Sequence, residues 1–267
     1  MKLKIGDPTL RLEDERLLRG EGCFTDDIDP GDGLRVAFLR APFAHARLTA
    51  LDLEDARALA GVHLVASQAD LDADQVGDIT CALSLQNEDG SDMVKVSKPA
   101  MVREINRSAG DIVAMVVADD QQIADDALEL IDVRYEAMEA VSDVYAAMAD
   151  GAPQLYAEYE NNIALNWVAA DHAGTSEAFA RAAETGLETV EIDVVNSRVI
   201  VNALETRPMI VGPGERLGTL DIWCPTQGPV PIAQKLAAVL NMPVADVRVR
   251  TPDVGGGFGY KIFFYPE

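Results

Sequence analysis

At 267 residues the chain suits one large domain or two small ones, and its 48% apolar content can bury a core and argues against disorder. Its 45 acidic and 22 basic side chains leave a net charge of −23, which repels nucleic acid and anionic membrane, and no basic stripe offsets it. The longest clean apolar run, Ile112–Ala118, is far too short to span a bilayer, and Met1-Lys2-Leu3-Lys4-Ile5-Gly6-Asp7-Pro8 lacks the apolar centre of a signal peptide.

Residues 10–33 are charged and turn-rich and predict an extended segment followed by a turn. An apolar strand is expected over 34–39, continuing through a proline break as Arg40-Ala41-Pro42-Phe43-Ala44-His45-Ala46-Arg47-Leu48. A short helix over 53–59 closes at Gly61, and 62–66 reads as a strand. Residues 67–108 are weakly patterned, so loops with short strands are expected. The β-branched run Ile112–Ala118 predicts a strand buried on both faces. Asp119 with Gln122 resembles a capping box, and Ile123, Ala127, Leu130 and Ile131 recur at helical spacing. With a strand over 133–136 these make a strand–helix–strand unit. Its Asp125, Asp126 and Glu129 lie on the polar helix face and read as solvated.

Residues 137–165 look like a connector, which places a domain boundary between 1–145 and 146–267. Thr175 or Ser176 can cap a helix that runs to Ala183 and ends at Gly186. The next run, 189–195, alternates cleanly, with Val190, Ile192 and Val194 on one face, and predicts a strand that 199–201 extends. Glu205 and Arg207, two residues apart beside Pro208, suggest an ion pair that shapes a loop. A hairpin is expected from 209–211 and 220–223 around Gly212-Pro213-Gly214. A helix starting at Pro231 presents Ile232, Leu236, Val239 and Leu240, and Asn241 and Pro243 end it.

The strand Val247–Arg250 then leads into Asp253-Val254-Gly255-Gly256-Gly257-Phe258-Gly259-Tyr260-Lys261. Four glycines in five residues imply positive φ or a close approach, and bare backbone N–H groups suit an anionic or oxygen-rich ligand. A ligand-free turn or bulge reads the glycines equally well. The spacing fits neither a dinucleotide fingerprint, whose third glycine would be Tyr260, nor a P-loop, because Ile262 follows Lys261. Gln227 and the glycine loop both follow sequential strands, at the ends where α/β sheets place ligands. A neutral amide there can donate to an oxo group or a phosphate, or simply cap the following helix; the residues leave both open.

Elsewhere the chemistry is sparse. Cys23, Cys81 and Cys224 are odd in number without C-x-x-C spacing, which argues against a disulfide framework or a zinc site. His45, His63 and His172 show no metal-ligand spacing; His45, beside Arg47, reads as a packed turn histidine, with a ligand or a catalytic base as the functional alternatives. Neither G-x-S-x-G nor H-E-x-x-H occurs.

Taken together, the order Arg11-Leu12-Glu13-Asp14-Glu15-Arg16, Arg40-Ala41-Pro42-Phe43-Ala44-His45-Ala46-Arg47, Gly110 to Ala118, Thr226-Gln227-Gly228-Pro229 and Pro252 to Lys261 resembles the molybdenum-binding large subunit of the xanthine dehydrogenase, aldehyde oxidase and carbon monoxide dehydrogenase family. Within that family it is most similar to carbon monoxide dehydrogenase large subunits. The resemblance implies an α+β chain: an N-terminal α/β hammerhead domain, then the start of a mixed α/β molybdopterin-binding domain.

It also implies a molybdenum–molybdopterin cofactor, in the cytosine dinucleotide form, with iron–sulfur and FAD groups confined to partner subunits. Gln227 would sit by the apical oxo ligand as the catalytic contact. Gly256, Gly257, Phe258 and Gly259 would join it along the cofactor. No protein metal ligand is implied. The activity would be hydroxylation of a small-molecule substrate with water-derived oxygen, in the cytoplasm, with no nucleic acid and no membrane span. Family subunits are roughly three times longer, so a further molybdenum-domain chain is implied as partner, and the chain alone is not expected to turn over substrate. Ile262 stands where purine-oxidising members carry Glu, which argues against xanthine. A non-catalytic truncated paralogue acting as a scaffold is the alternative, and a stand-alone nucleotide binder a weaker one.

Overall fold

The computed structural model describes residues 5, 6, 8 and 11–267. The chain divides into two compact units, Leu34–Ile200 with Pro266–Glu267, and Met1–Gly33 with Val201–Tyr265.

In the first unit, β1 (Arg35–Arg40), β2 (Ala46–Asp52), β3 (Val62–Ser67), β4 (Ile105–Asn106), β5 (Ile112–Ala118) and β6 (Asp132–Ala137) form two three-stranded antiparallel sheets, β1-β5-β3 and β4-β2-β6. The run Ile112–Ala118 is buried almost throughout, because β5 is the central strand, and Val113 and Val116 are fully enclosed. Residues 41–48 do not continue β1. The chain turns at 41–45, and β2 starts afresh in the other sheet. The elements of the expected strand–helix–strand unit form, but β6 pairs with β2. Both flanks of β5 are already taken by β1 and β3.

The helices α2 (Glu54–Ala58) and α4 (Gln121–Glu129) bury Ala56, Ala124 and Ala127 against the β1-β5-β3 sheet. The N-cap of α4 is Asp120, which accepts from the Ile123 N–H at 2.8 Å. Asp119 lies one residue too early to cap and instead stands 2.6 Å from His63 Nε2. Gly61 is required at its place: its φ is +86°, and a Cβ there would meet Ile123 Cδ1 at 2.8 Å. A helix not expected from the sequence, α3 (Gln68–Ala73), begins at Ser67, whose N–H and hydroxyl both donate to Asp70. Residues 137–165 are mostly loop, with α5 (Val144–Met148) inside them. The helix α6 (His172–Glu184) starts three residues before the expected caps, because Asp171 accepts from the Gly174 N–H at 2.8 Å; Thr175 and Ser176 lie inside it.

The strand expected over 189–195, with its extension at 199–201, does not form. Residues 187–203 are without helix or strand, and Val190, Ile192 and Val194 are 81%, 75% and 74% exposed. Alternation states which face a strand would bury. It does not supply a neighbour to pair with, and a lone strand has no ladder to hold it.

In the second unit the segment read as extended holds a short helix, α1 (Asp14–Leu18); Leu10 lies outside the described residues. The hairpin β7 (Ile210–Pro213) and β8 (Leu220–Trp223) is antiparallel. Helix α7 (Pro229–Val239) follows, and β9 (Val247–Arg250) runs parallel to β8. α7 begins at Pro229, two residues before the expected start, with Gly228 as N-cap; a proline in the first turn is preorganised for the helix. Ile222, Ala233, Ala237 and Val247 form this unit's core.

Candidate functional site

Because β8 and β9 are parallel neighbours, the chain leaves both at the same edge of the sheet. The segment after β8 carries Thr226 and Gln227, and the segment after β9 carries the glycine loop. Two hydrogen bonds join them. The Lys261 carbonyl accepts from the Gln227 N–H at 3.2 Å and from the Thr226 hydroxyl at 2.9 Å.

Side chains tighten this junction. The Gly259 N–H donates to Gln227 Oε1 at 3.0 Å, and Gln227 lies flat against Gly257, where an added Cβ would sit 2.6 Å from Gln227 Cδ. The Gln227 amide NH2 keeps no hydrogen-bond partner among the described residues. Gly256 has φ +104° and its Cβ position is filled by Ala203 at 2.9 Å, so only glycine fits. Phe258 and Gly259 both have positive φ, 48° and 86°. The N–H groups of Gly256, Gly257 and Phe258 are hydrogen-bonded to nothing among the described residues. The loop is partly open: Phe258 is 78% exposed, and Phe263, Ile262 and Leu204 add further apolar surface. The five expected site residues therefore fall together, around a row of free backbone donors and one free amide.

Two ion pairs that shape this loop were not expected. Asp253 takes a two-pronged contact from Arg16 at 2.6 and 2.7 Å and a bond from the Cys23 N–H at 2.8 Å. The Arg16 guanidinium, and then the Cys23 N–H, hold the Asp253 carboxyl at about 2. Lys261 is fully buried, and its Nζ lies 2.8 Å from Glu205 Oε2. Glu205 thus does not pair with Arg207, as its spacing suggested. Arg207 lies over the Tyr265 ring at 3.6 Å. The only local hint was a lysine placed right after a glycine loop.

His45 is buried and bonded through Nδ1 to the Glu139 carbonyl at 2.7 Å, as a packed histidine. Asp125, Asp126 and Glu129 are exposed on α4. Among the described residues no cluster of His, Cys, Asp or Glu could hold a metal ion, and no helix is long and apolar enough to cross a membrane.

Comparison with known proteins converges on one family. Residues 19–139 match the family described as the aldehyde oxidase and xanthine dehydrogenase a/b hammerhead domain, and residues 155–267 match the molybdopterin cofactor-binding domain. The chain is 30% identical to the nicotine 6-hydroxylase large subunit of Paenarthrobacter nicotinovorans, over 98% of this chain and 31% of that protein. It is 31% identical to the carbon monoxide dehydrogenase large chain of Afipia carboxidovorans, over 98% of this chain and 32% of that one. Among solved structures, quinoline 2-oxidoreductase from Pseudomonas putida 86 superposes with a TM-score of 0.84 at 34% identity, over all of this chain and 32% of that one. The chain spans about a third of the length of these relatives. It combines a hammerhead domain with the beginning of a molybdopterin-binding domain. The chain belongs to the molybdenum-binding large-subunit family of xanthine dehydrogenase, aldehyde oxidase and carbon monoxide dehydrogenase.

Proposed function

We propose that this chain is part of the molybdopterin-binding subunit of a molybdenum hydroxylase of the carbon monoxide dehydrogenase large-subunit type, divided functionally at 145/146. It works with a chain carrying the rest of the molybdenum domain and with iron–sulfur and FAD subunits, in the cytoplasm, on a small-molecule substrate. The single observation that carries the reading is the loop after β9, where three successive N–H groups, unpaired among the described residues, lie beside the Gln227 amide within the molybdopterin-family match. The residues suit such a group. A pterin with oxygen-rich substituents needs hydrogen-bond donors and close backbone approach, and both are present.

When bound, the cofactor would supply the molybdenum, its ligation and the two-electron chemistry, in the cytosine dinucleotide form. The chain's own contribution is binding and orientation. Gly256, Gly257 and Phe258 offer backbone N–H groups to cofactor oxygens. Gly259 holds Gln227 Oε1, which leaves the Gln227 NH2 as the donor toward the oxo group. A donor fixed before reaction costs no reorganisation when charge develops. The Phe258 ring, largely exposed, gives an apolar surface along the cofactor.

The test is to purify the chain with its native neighbours and measure molybdenum and pterin per polypeptide. Near-equal amounts are expected; a stable complex without either overturns the reading.

A further inference from the structure

The glycine loop is held by a buried carboxylate, Glu205, whose partners lie far from it in the sequence. The Glu205 side chain is 6% exposed and Lys261 is wholly enclosed. Glu205 Oε2 accepts both Lys261 Nζ at 2.8 Å and the Gly255 N–H at 2.7 Å. Its Oε1 takes the Thr25 N–H at 3.4 Å. The backbone is stitched in register beside it: the Glu205 N–H donates to the Gly255 carbonyl at 3.2 Å, and the Tyr260 hydroxyl donates to the Glu205 carbonyl at 3.3 Å. A Cβ at Gly255 would fall 2.6 Å from Glu205 Cβ, so the two residues are in direct contact. One carboxylate therefore grips the loop at both ends, at Gly255 by its N–H and at Lys261 by its ammonium. Between these points lie the N–H groups of Gly256, Gly257 and Phe258, unpaired among the described residues.

A buried ion pair is weak evidence for stability, because desolvation offsets much of the attraction and an apolar pair of similar volume often serves as well. Its geometry here has another use. We infer that Glu205, neutralised by Lys261, is a positioning residue that fixes the loop so that its free N–H groups meet the cofactor. This rests on the cofactor reading above, and its first test does not need that reading to hold.

The test compares two double variants. Glu205→Gln/Lys261→Met removes both charges and keeps a side-chain oxygen for Gly255. Glu205→Leu/Lys261→Met keeps the volume and removes the acceptor. In the 267-residue chain, amide hydrogen exchange at Gly255 should quicken about tenfold in the Leu/Met variant and stay within about twofold in the Gln/Met variant, with β8 and β9 amides unchanged in both. In the assembled complex, molybdenum and pterin content should fall about tenfold for Leu/Met and be largely retained for Gln/Met. Unchanged exchange at Gly255 in a folded Leu/Met chain, or equal cofactor content in the two variants, overturns the inference. Should Leu/Met not fold, the wild-type chain still decides: Gly255 must be protected about tenfold more than Gly256 and Gly257, and equal protection overturns it. A wild-type complex devoid of molybdenum refutes the proposed function instead, while the exchange result stands.

Discussion

Gly257→Ala drives a methyl group into Gln227. The new Cβ lies 2.6 Å from Gln227 Cδ, 2.8 Å from Oε1 and 2.9 Å from Cγ, where ordinary contact begins near 3.4 Å. Gly257 is not among the residues with positive φ, so the backbone itself tolerates alanine. The strain must be relieved by the side chain, which has to retreat by roughly 1 Å. That retreat breaks the 3.0 Å bond from the Gly259 N–H. Gln227 is exposed, so water takes over its polar atoms, and the loss is about 1 kcal/mol. For a unit of about a hundred residues this lowers the melting temperature by about 4–8 °C. In a Gln227→Ala background the three crowding atoms are gone, so Gly257→Ala should then cost within about 0.5 kcal/mol of nothing. Urea unfolding of the four chains (wild type, both singles, the double) gives the coupling energy directly. Equal losses for Gly257→Ala in both backgrounds would refute the packing of Gln227 on Gly257.

Other perturbations probe separate parts. Gln227→Ala in the assembled enzyme should lower kcat by about 10²-fold or more while molybdenum content holds, as expected for removal of a preorganised donor; unchanged kinetics would remove Gln227 from the site. Asp253→Asn tests the anchor before the loop. The Asp253 carboxyl is held below its ordinary 3.8, at about 2, so its contribution is full above pH 4 and lost as pH falls through 2. The melting temperatures of wild type and variant should differ most near pH 5 and converge near pH 2; a gap that stays constant with pH contradicts the Arg16 pairing. Val116→Ala empties part of the β5 core, where Val116 is fully buried, and should cost about 2 kcal/mol by denaturant unfolding; a loss below about 0.5 kcal/mol would show the site collapses without a cavity.

Local signals carried much of this. The β-branched run Ile112–Ala118 and the prolines opening α7 determine their elements from within a few residues, and both formed where the pattern put them, to within two positions. The glycine loop and Gln227 were legible as a pair because each follows a strand, and parallel pairing brings strand ends together. What was not legible depends on distant partners. Glu205 and Lys261 are 56 residues apart, and nothing near Glu205 competes visibly with Arg207 for it. The Asp253–Arg16 contact spans 237 positions. The expected caps of α4 and α6 missed the observed ones by one and at least four residues, because several Asp, Ser and Thr side chains stood close enough to serve and only the backbone angle selects among them.

The bare stretch around Val190, Ile192 and Val194 has a practical consequence. A β-prone, largely apolar segment displayed in solvent is a template for copies of itself, and concentrated solutions of the isolated polypeptide should self-associate through it. Glu191 and Asp193, alternating with these apolar residues, act as gatekeepers by setting like charges against each other whenever two copies align. Light scattering during expression trials thus becomes a gauge of whether this stretch has been covered.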